Sequence, residues 1–342
     1  MKVGIFYSGT APKAGGGYTY EQDLLFSFLS IAHESHHEYV IISKTDLTPV
    51  IRKYSQNNLS NIVVRGKPYS RFFLYYFFDG VFFSKLALKC SRLNRALKNN
   101  NIDMVVFLSP APEVVECPYI IPVWDLQHRL QPWFPEVSAN GIWDRREKYS
   151  RDMLTRAAYI ITGTPTGQEE ISFFYSIPKD RIKVLPLPTP GYCLENSQKK
   201  TRDYLDKSGI SGDYLLYPAQ FWSHKNHVSA ILALEILHKE YNLPLSLVFV
   251  GSDSGNLSYV KKVASDQSCS EYIHFPGFVS QENLIALYQN ASALVFPTFF
   301  GPDNLPPLEA FALGCPVIAS RVSGAEEQLG DAALLVDPKN PA

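Results

Sequence analysis

Residues 296–320 read FPTFFGPDNLPPLEAFALGCPVIAS, and this stretch decides the fold class. An apolar strand comes first, and a loop broken by proline and glycine follows it. A helix is predicted to begin near Pro306 and to stop at Gly314. The β-branched pair Val317 and Ile318 predicts a second strand. A strand, a loop, a helix and a strand in this order are typical of a parallel α/β sheet.

The beginning of that helix is a candidate anion site. A loop that follows a strand and leads into a helix presents backbone N–H groups that can bind an anion. Glu309 lies about one turn inside the helix, where a carboxylate can accept hydrogen bonds from vicinal sugar hydroxyls. The stretch therefore suits a nucleotide that carries a ribose and a diphosphate.

The 342-residue chain has the composition of a globular protein, with 46% hydrophobic and 19% charged residues. Its length is enough for two domains, each with its own core. The net charge of −1 argues against a nucleic-acid partner. Five widely spaced cysteines form no CxxC pair, which indicates a reducing compartment and no zinc site. Without a signal peptide or a membrane-length apolar stretch, we predict a cytoplasmic protein, with peripheral contact at the inner face of the plasma membrane left open.

Short apolar strands alternate with helices in two successive series. Strands are predicted at 3–7, 39–43, 61–64, 104–108, 119–122 and 159–162, and then at 214–217, 246–250, 273–275, 293–296, 317–319 and 333–336. Helices are predicted at 21–32, 82–99, 166–174, 228–241, 256–265, 281–289 and 307–313. This pattern predicts an α/β protein of two doubly wound domains with parallel sheets.

The break between the two series lies at 185–213, where three prolines precede a polar run. We predict an N-terminal domain at 1–190, a linker at 191–212 and a C-terminal domain at 213–342. The chain ends in Asn-Pro-Ala directly after a strand, which looks like the opening of a helix. We therefore expect that the C-terminal end is truncated.

The segment FPTFFGPDNLPPLEA resembles the signature F-P-S-x-x-E-G-F-G-L-P-x-L-E-A of the retaining glycosyltransferases of glycosyltransferase family 4 (glycosyl transferases group 1). The resemblance implies the GT-B fold, with two facing Rossmann-like domains and a cleft between them. The second glutamate of the signature falls on Glu309, which is thereby assigned to the ribose. The first falls on Gly301, so Asp303 or Asn304 would replace it at the transferred sugar.

Residues 217–227 read YPAQFWSHKNH and resemble the family segment in which an arginine and a lysine bind the donor diphosphate. Lys225 matches the lysine, and a charge-assisted contact of this kind contributes about 1.5–3 kcal/mol. Gln220 stands where the arginine usually does, and His224 is a candidate to assist. The paired histidines His224 and His227 would also suit a metal, but without a nearby carboxylate pair or cysteine we expect none.

The resemblance extends to three further elements. The glycine run at 15–17, with Gly16 and Gly17, is similar to the loop whose backbone approaches the donor phosphate and the acceptor. Asp125 and His128 match an Asp-x-x-His element that faces the transferred sugar. The remaining donor contacts are expected from the backbone N–H groups of Asn304 and Leu305 at the diphosphate and from the turn Phe278-Val279 at the base.

The resemblance implies a metal-independent, retaining hexosyltransferase. It would move a sugar from a nucleotide-diphosphate donor to a hydroxyl of a glycan or a lipid-linked glycan, in polysaccharide or cell-envelope biosynthesis. Uridine is preferred as the base on family frequency alone, and no cofactor is expected. The catalytic candidates are Asp125, His128 and Lys225. We expect a front-face displacement in which the leaving diphosphate accepts the acceptor's proton, so that the protein acts by positioning and charge stabilisation.

Local structural roles and other functions stay open at this point. Glu309 could only stabilise a helix dipole, Lys225 could be solvated, the glycines could form a turn and His128 could be a satisfied loop histidine. A nucleotide-sugar epimerase of the same architecture would isomerise the donor without an acceptor. A catalytically inactive sugar-nucleotide-binding protein would bind the donor without transfer. A nicotinamide dehydrogenase is disfavoured because the G-x-G-x-x-G fingerprint is missing.

Residues 65–98 hold eight Lys or Arg and one Asp, and they include an aromatic run at 72–78. On the helix predicted at 82–99, the basic residues fall on one stripe. A basic stripe with aromatic residues is typical of a surface that binds anionic lipid. A solvated face over an ordinary core helix explains the pattern equally well.

Overall fold

A computed structural model of the chain describes residues 1–11, 15–54, 58–64, 91–111, 114–197 and 202–342. These residues divide into two compact units. The first unit comprises Met1–Leu130, Ala139–Gly163 and Gly167–Leu185, and the second comprises Gln131–Ser138, Thr164–Thr166 and Pro186–Ala342. Two short stretches from the N-terminal half of the sequence therefore belong to the second unit.

The first unit is built on a parallel sheet in the order β3-β2-β1-β4-β5-β6-β7. Its strands are β1 Lys2–Phe6, β2 Glu38–Ser43, β3 Leu59–Val63, β4 Met104–Phe107, β5 Tyr119–Pro122, β6 Tyr159–Thr162 and β7 Ile182–Val184. The helices in this part of the chain are α1 Gly16–Ile31, α2 Thr48–Ile51, α3 Arg92–Asn99, α4 Gln127–Leu130, α5 Pro135–Ser138, α6 Ile142–Leu154 and α7 Pro165–Tyr175. Of these, α5 and the first two residues of α7 fall in the second unit.

The second unit is built on a parallel sheet in the order β10-β9-β8-β11-β12-β13. Its strands are β8 Tyr214–Pro218, β9 Ser246–Val250, β10 Ile273–Gly277, β11 Ala293–Phe296, β12 Val317–Ser320 and β13 Leu334–Val336. Its helices are α8 Gly191–Asn196, α9 Asp203–Ser208, α10 His227–Tyr241, α11 Leu257–Ser265, α12 Gln281–Asn290, α13 Leu305–Ala312 and α14 Ala325–Leu329.

The central strands of the second sheet are continuously apolar because helices cover both faces. Every residue of β8 and of β9 is buried. A half-exposed strand would instead alternate apolar and polar residues. The prediction of two doubly wound α/β domains is therefore confirmed.

Each sheet has one point at which the strand order reverses. In the first sheet this switch point lies between β1 and β4, and in the second between β8 and β11. Ligands of doubly wound sheets bind outside the carboxyl ends of the strands at such points. The loops after these four strands are therefore the places to look for function.

The range 191–212, predicted as a linker, contains α8 and α9. Their residues Cys193 and Leu205, together with Ile210, are buried in the core of the second unit. The helix predicted to begin at residue 21 begins instead at Gly16. Sequence patterns missed α6 and β7, whose apolar residues are few or interrupted by charged ones.

The segment that suggested membrane contact is described only at its end. The aromatic run 72–78 and the basic residues Lys85 and Lys89 lie outside the described residues. The described part of the predicted helix is α3, where Ser91 accepts a hydrogen bond from the backbone N–H of Asn94 at 2.9 Å. Within the ranges given above, no helix has the length and apolarity needed to cross a membrane.

Candidate functional site

Lys225 lies in the loop after β8, at the switch point of the second unit. Its Nζ is 3.3 Å from Oδ1 of Asn304 and 5.0 Å from the centroid of the Phe296 ring. Phe296 ends β11, and Asn304 directly precedes α13. The fold thus brings the lysine of one predicted motif to the loop of the other, although 79 residues separate them.

The backbone around Lys225 is held by side chains on both sides. The Tyr217 hydroxyl donates to the carbonyl oxygen of Lys225. Asn226 has a left-handed backbone, with φ at +54°, which asparagine tolerates better than most residues. Its Nδ2 donates to the carbonyl oxygens of Pro297 and Pro338, both at 2.8 Å. Asn226 therefore ties the loop after β8 to the loop after β11, a role that the sequence reasoning missed.

His224 is held by a carboxylate from the N-terminal half of the sequence. Oε1 of Glu136, on α5, is 3.0 Å from the backbone nitrogen of His224 and 2.6 Å from its Nδ1. Burial raises the pKa of Glu136, but the hydrogen bonds from His224 outweigh it and the net pKa is lowered. The carbonyl oxygen of His224 accepts from the backbone N–H of Phe299 at 2.8 Å, which joins the two switch loops again.

The other two predicted polar residues of this segment have different surroundings. Gln220 donates to the Ser252 hydroxyl at 3.4 Å and accepts from the Trp222 indole at 2.9 Å. His227 is 0% exposed and stacks between the rings of Tyr217 and Phe221. Burial lowers the pKa of His227 to about 3, so this ring is a neutral part of the core.

The beginning of α13 offers fewer donors than the sequence suggested. The backbone N–H of Asn304 donates to Oε1 of Gln328, and Nε2 of Gln328 donates to the carbonyl oxygen of Asn304, both at 2.9 Å. Pro306 and Pro307 have no N–H. Of the first four residues of the helix, only Leu305 and Leu308 carry an N–H. Asp303, next to Asn304, is partly exposed.

Gly301 occupies the position of the first signature glutamate in a conformation that favours glycine. Its φ is +141°, and a Cβ built there would lie 2.6 Å from Nδ2 of Asn304. The same Nδ2 donates to the carbonyl oxygen of Gly301 at 3.0 Å. A glutamate at 301 would therefore strain the backbone and require the Asn304 side chain to move.

Glu309 is buried beneath the beginning of α13. Its Oε2 accepts a hydrogen bond from the Tyr288 hydroxyl at 2.8 Å. Burial and the Glu309 carboxylate raise the pKa of Tyr192, so this hydroxyl also stays protonated beside Glu309. The carboxylate thus links α13 with α12 and α8, and its contact with a ribose stays a prediction.

Phe278 and Val279 form the turn between β10 and α12. Phe278 is 50% exposed, whereas Val279 packs partly against the core. The turn follows the carboxyl end of β10, two strands away from β8 in the same sheet. It therefore lies on the sheet edge that carries Lys225, as the predicted base contact requires.

In the first unit, Gly16 and Gly17 open α1. A Cβ on Gly17 would lie 3.1 Å from the Trp124 ring, so the glycine permits the helix to pack close to that ring. Asp125, next to Trp124, forms an ion pair with Arg146. Burial raises the pKa of Asp125, but the Arg146 charge outweighs it and the net pKa is lowered. The glycine run and Asp125 are thus close neighbours.

His128 lies in the core of the first unit. Its side chain is 1% exposed, and its Nε2 is 3.3 Å from the Tyr175 hydroxyl and 3.4 Å from Oε2 of Glu147. Burial lowers the pKa of His128 to about 4. The contact between His128 and a sugar stays a prediction, and in this conformation the ring has a packing role.

Glu21, on α1, is a buried carboxylate that the sequence reasoning missed. Its oxygens accept from the backbone N–H and the hydroxyl of Ser8, at 2.5 and 2.8 Å, and from the Ser109 hydroxyl at 2.9 Å. Ser8 follows β1 and Ser109 follows β4. Glu21 therefore joins the two switch loops of the first unit.

In the described part of the chain, no group of three or more His, Cys, Asp or Glu side chains is arranged to hold a metal ion. Metal independence of the reaction stays a prediction.

The match with a known protein family lies within the second unit. Residues 202–342 match the family Glycosyl transferases group 1. The O-antigen chain mannosyltransferase B of Escherichia coli is 28% identical over 195 residues, which cover 57% of this chain and 51% of that protein. The chain spans about half the length of the curated relatives it matches.

Solved structures extend the comparison of the fold to nearly the whole chain. A glycosyltransferase from Rickettsia africae has a TM-score of 0.67 and 16% identity, over 99% of this chain and 85% of that chain. Anabaena HepE in complex with UDP and glucose has a TM-score of 0.67 and 14% identity, over 100% of this chain and 87% of that chain. The two Rossmann-like domains are those of the GT-B glycosyltransferase structures, as predicted.

Proposed function

We propose that this protein is a glycosyltransferase that moves a sugar from a nucleotide-diphosphate donor to a hydroxyl of a glycan or lipid-linked glycan. The observation that carries the proposal is the position of the Lys225 ammonium. It lies at the switch point of the unit that contains the matched family, between the loop after β8 and the loop before α13. An ammonium in this place suits a diphosphate.

We assign donor binding to the second unit. Lys225 and His224 bind the diphosphate, with the Leu305 N–H and the side chains of Asp303, Asn304 and Gln220 lining its surroundings. Glu309 binds the ribose, and the turn Phe278-Val279 contacts the base. The Asn304 N–H would have to leave Gln328 in order to bind a phosphate oxygen.

We assign the acceptor side to the first unit, with Asp125 and the backbone of Gly16 and Gly17. Asp125 stays ionised because Arg146 lowers its pKa. Its carboxylate can therefore accept hydrogen bonds from sugar hydroxyls. The reaction retains the anomeric configuration and needs no metal, since the leaving diphosphate takes the acceptor's proton.

The named relatives and structures guide the choice of substrates. A relative is named an O-antigen chain mannosyltransferase, which favours a mannosyl donor and an acceptor in cell-surface polysaccharide synthesis. HepE was solved with UDP and glucose, which favours uridine as the base. The panel of donors to be screened therefore comprises UDP-, GDP- and ADP-sugars.

Thermal shift with this panel, followed by transfer assays on glycan and lipid-linked acceptors, tests the proposal. We expect one nucleotide class to stabilise the protein and the matching sugar to be transferred with retention, read from the anomeric coupling constant by NMR. Activity that persists in EDTA supports metal independence. A protein stabilised by none of these nucleotides would contradict the assignment.

An inactive sugar-nucleotide-binding protein is the second candidate, favoured by Gly301 and Gln220 at two signature positions. It predicts stabilisation by a nucleotide sugar without transfer to any acceptor and without hydrolysis. The epimerase alternative predicts an isomerised donor in the absence of acceptor, and the comparisons do not favour it.

We also propose peripheral contact with anionic membranes. The described part of the basic stripe has Arg92, Arg95 and Lys98 exposed on α3, while Leu93 and Leu97 are buried. Co-sedimentation with anionic vesicles should be lost in the double variant Arg92→Glu, Arg95→Glu. Failure of the unmutated protein to co-sediment would end this part of the proposal.

A further inference from the structure

Glu136 reaches the donor-binding loops from a part of the sequence that the predicted domain boundaries assign to the other domain. It lies in Gln131–Ser138, a stretch that packs within the second unit. Its side chain is 6% exposed, and its Oε1 contacts both the backbone nitrogen and Nδ1 of His224. The rings of Phe134 and Phe299 stack beside this pair at 6.1 Å between centroids.

The pair is not arranged for stability alone. Oε2 of Glu136 is buried and has no hydrogen-bond partner among the described residues. A buried carboxylate oxygen without a partner is costly, and an apolar pair of similar volume is often as stable as a buried ion pair. The charge of Glu136 therefore calls for another explanation.

The chemistry of the His224 imidazole offers an explanation for the charge of Glu136. Since Nδ1 contacts Glu136, Nε2 is the ring nitrogen that can face a phosphate, and it donates a hydrogen bond only when the ring is protonated. A carboxylate beside the ring favours that form. At the neighbouring position where the resembled family has a second cation, this chain has the neutral Gln220.

We propose that Glu136 is a positioning residue that keeps the His224 ring oriented and protonated, so that His224 acts as the second cation on the donor diphosphate. This inference rests on the proposed function, because it requires a diphosphate beside Lys225.

The ionisable groups around His224 fix the sign of the expected pH dependence. Besides Glu136, they are Lys225 and His227 on its own segment. His227 is neutral, since burial lowers its pKa to about 3. The positive charge of Lys225 disfavours the protonated form of the His224 ring, whereas the negative charge of Glu136 favours it. Affinity for a diphosphate should fall as the pH rises through the titration of His224, and without the Glu136 charge that fall should occur at lower pH.

The test is calorimetric binding of inorganic pyrophosphate, UDP and GDP to the full chain, from about pH 5.5 to about pH 8.5. The variant Glu136→Gln keeps an acceptor oxygen for His224 and removes the charge. We expect it to weaken pyrophosphate binding about tenfold near pH 8, with the difference vanishing toward pH 5.5.

The double variant Glu136→Gln, His224→Gln separates this role from a general loss of stability. If Glu136 acts through His224, the double variant binds pyrophosphate as weakly as His224→Gln alone. Glu235→Gln is the matched control, because Glu235 is also a buried carboxylate of this unit, bonded to Ser268 and Cys269. It should leave the pyrophosphate affinity and its pH profile unchanged.

Each failure has a distinct signature. Unchanged affinity and an unchanged pH profile in Glu136→Gln, with normal binding by the unmutated protein, overturn the role of Glu136 alone. Additive losses in the double variant overturn it as well. Absence of pyrophosphate, UDP and GDP binding by the unmutated protein overturns the proposed function and this inference with it.

Discussion

The switch points of the two units have the same topology, but the described side chains that join their loops differ in charge. In the first unit, the carboxylate of Glu21 joins the loops after β1 and β4. In the second unit, the ammonium of Lys225 lies between the loops after β8 and β11. A doubly wound sheet provides a crevice in both cases, but the side chains decide which ligand suits it. Among the described residues that join the switch loops, it is Lys225 of the second unit that presents a cation suited to a diphosphate.

The largest expected effect is a loss of stability in the first unit. Glu21→Ala leaves the Ser8 N–H and the Ser8 and Ser109 hydroxyls without their acceptor. We expect the free energy of unfolding to fall by about 3 kcal/mol, measured by urea denaturation. Glu38→Ala, at an exposed position that begins β2, is the control and should change little. Equal stability of the two variants would show that Glu21 does not hold the loops together.

The corresponding change in the second unit should affect binding instead of stability. Lys225→Ala removes the ammonium, and we expect the dissociation constant of a nucleoside diphosphate to rise about tenfold to a hundredfold. Lys239→Ala serves as the control, because Lys239 is an exposed lysine of the same unit that pairs with Glu235. Unchanged calorimetric affinity in Lys225→Ala would remove this residue from the donor site and end the contrast between the two crevices.

A smaller effect on affinity should distinguish binding of the ribose from binding of the diphosphate. We expect Glu309→Gln to weaken UDP or GDP binding about fivefold while leaving inorganic pyrophosphate binding unchanged, because pyrophosphate has no ribose. Tyr288→Phe removes only the hydroxyl that donates to Glu309 and is the comparison variant. Equal losses for nucleotide and pyrophosphate would mean that Glu309 only supports α13.

The smallest effect concerns the missing signature glutamate. Gly301→Glu and Gly301→Ala should each lower the free energy of unfolding by about 1 kcal/mol, because the backbone at 301 is one that side chains rarely adopt. Neither variant should increase sugar transfer, since a Cβ there meets Asn304. A gain of transfer in the glutamate variant alone would show that the loop can accept the family's usual residue.

The sequence was most informative where its patterns are local. The strands at 119–122, 159–162, 246–250 and 293–296 were predicted with their observed bounds, because short apolar runs between turn residues leave few alternatives. Lys225 and Asn304 were each identified from a motif whose own residues lie close together in the sequence. The range 191–212 was predicted as a linker but contains α8 and α9. The polar residues of these two helices dominate the sequence pattern, although Cys193 and Leu205 are buried in the core.

The sequence by itself determined the two doubly wound domains and the motif around Lys225, because both follow from residue periodicity and short-range spacing. Only the tertiary structure decided which polar groups meet. It formed the hydrogen bonds of Glu136 with His224, of Gln328 with Asn304 and of Tyr288 with Glu309. The members of these pairs lie 88, 24 and 21 residues apart in the sequence. Contacts of this kind depend on how strands and helices are ordered in space, and that order has no local signature in the chain.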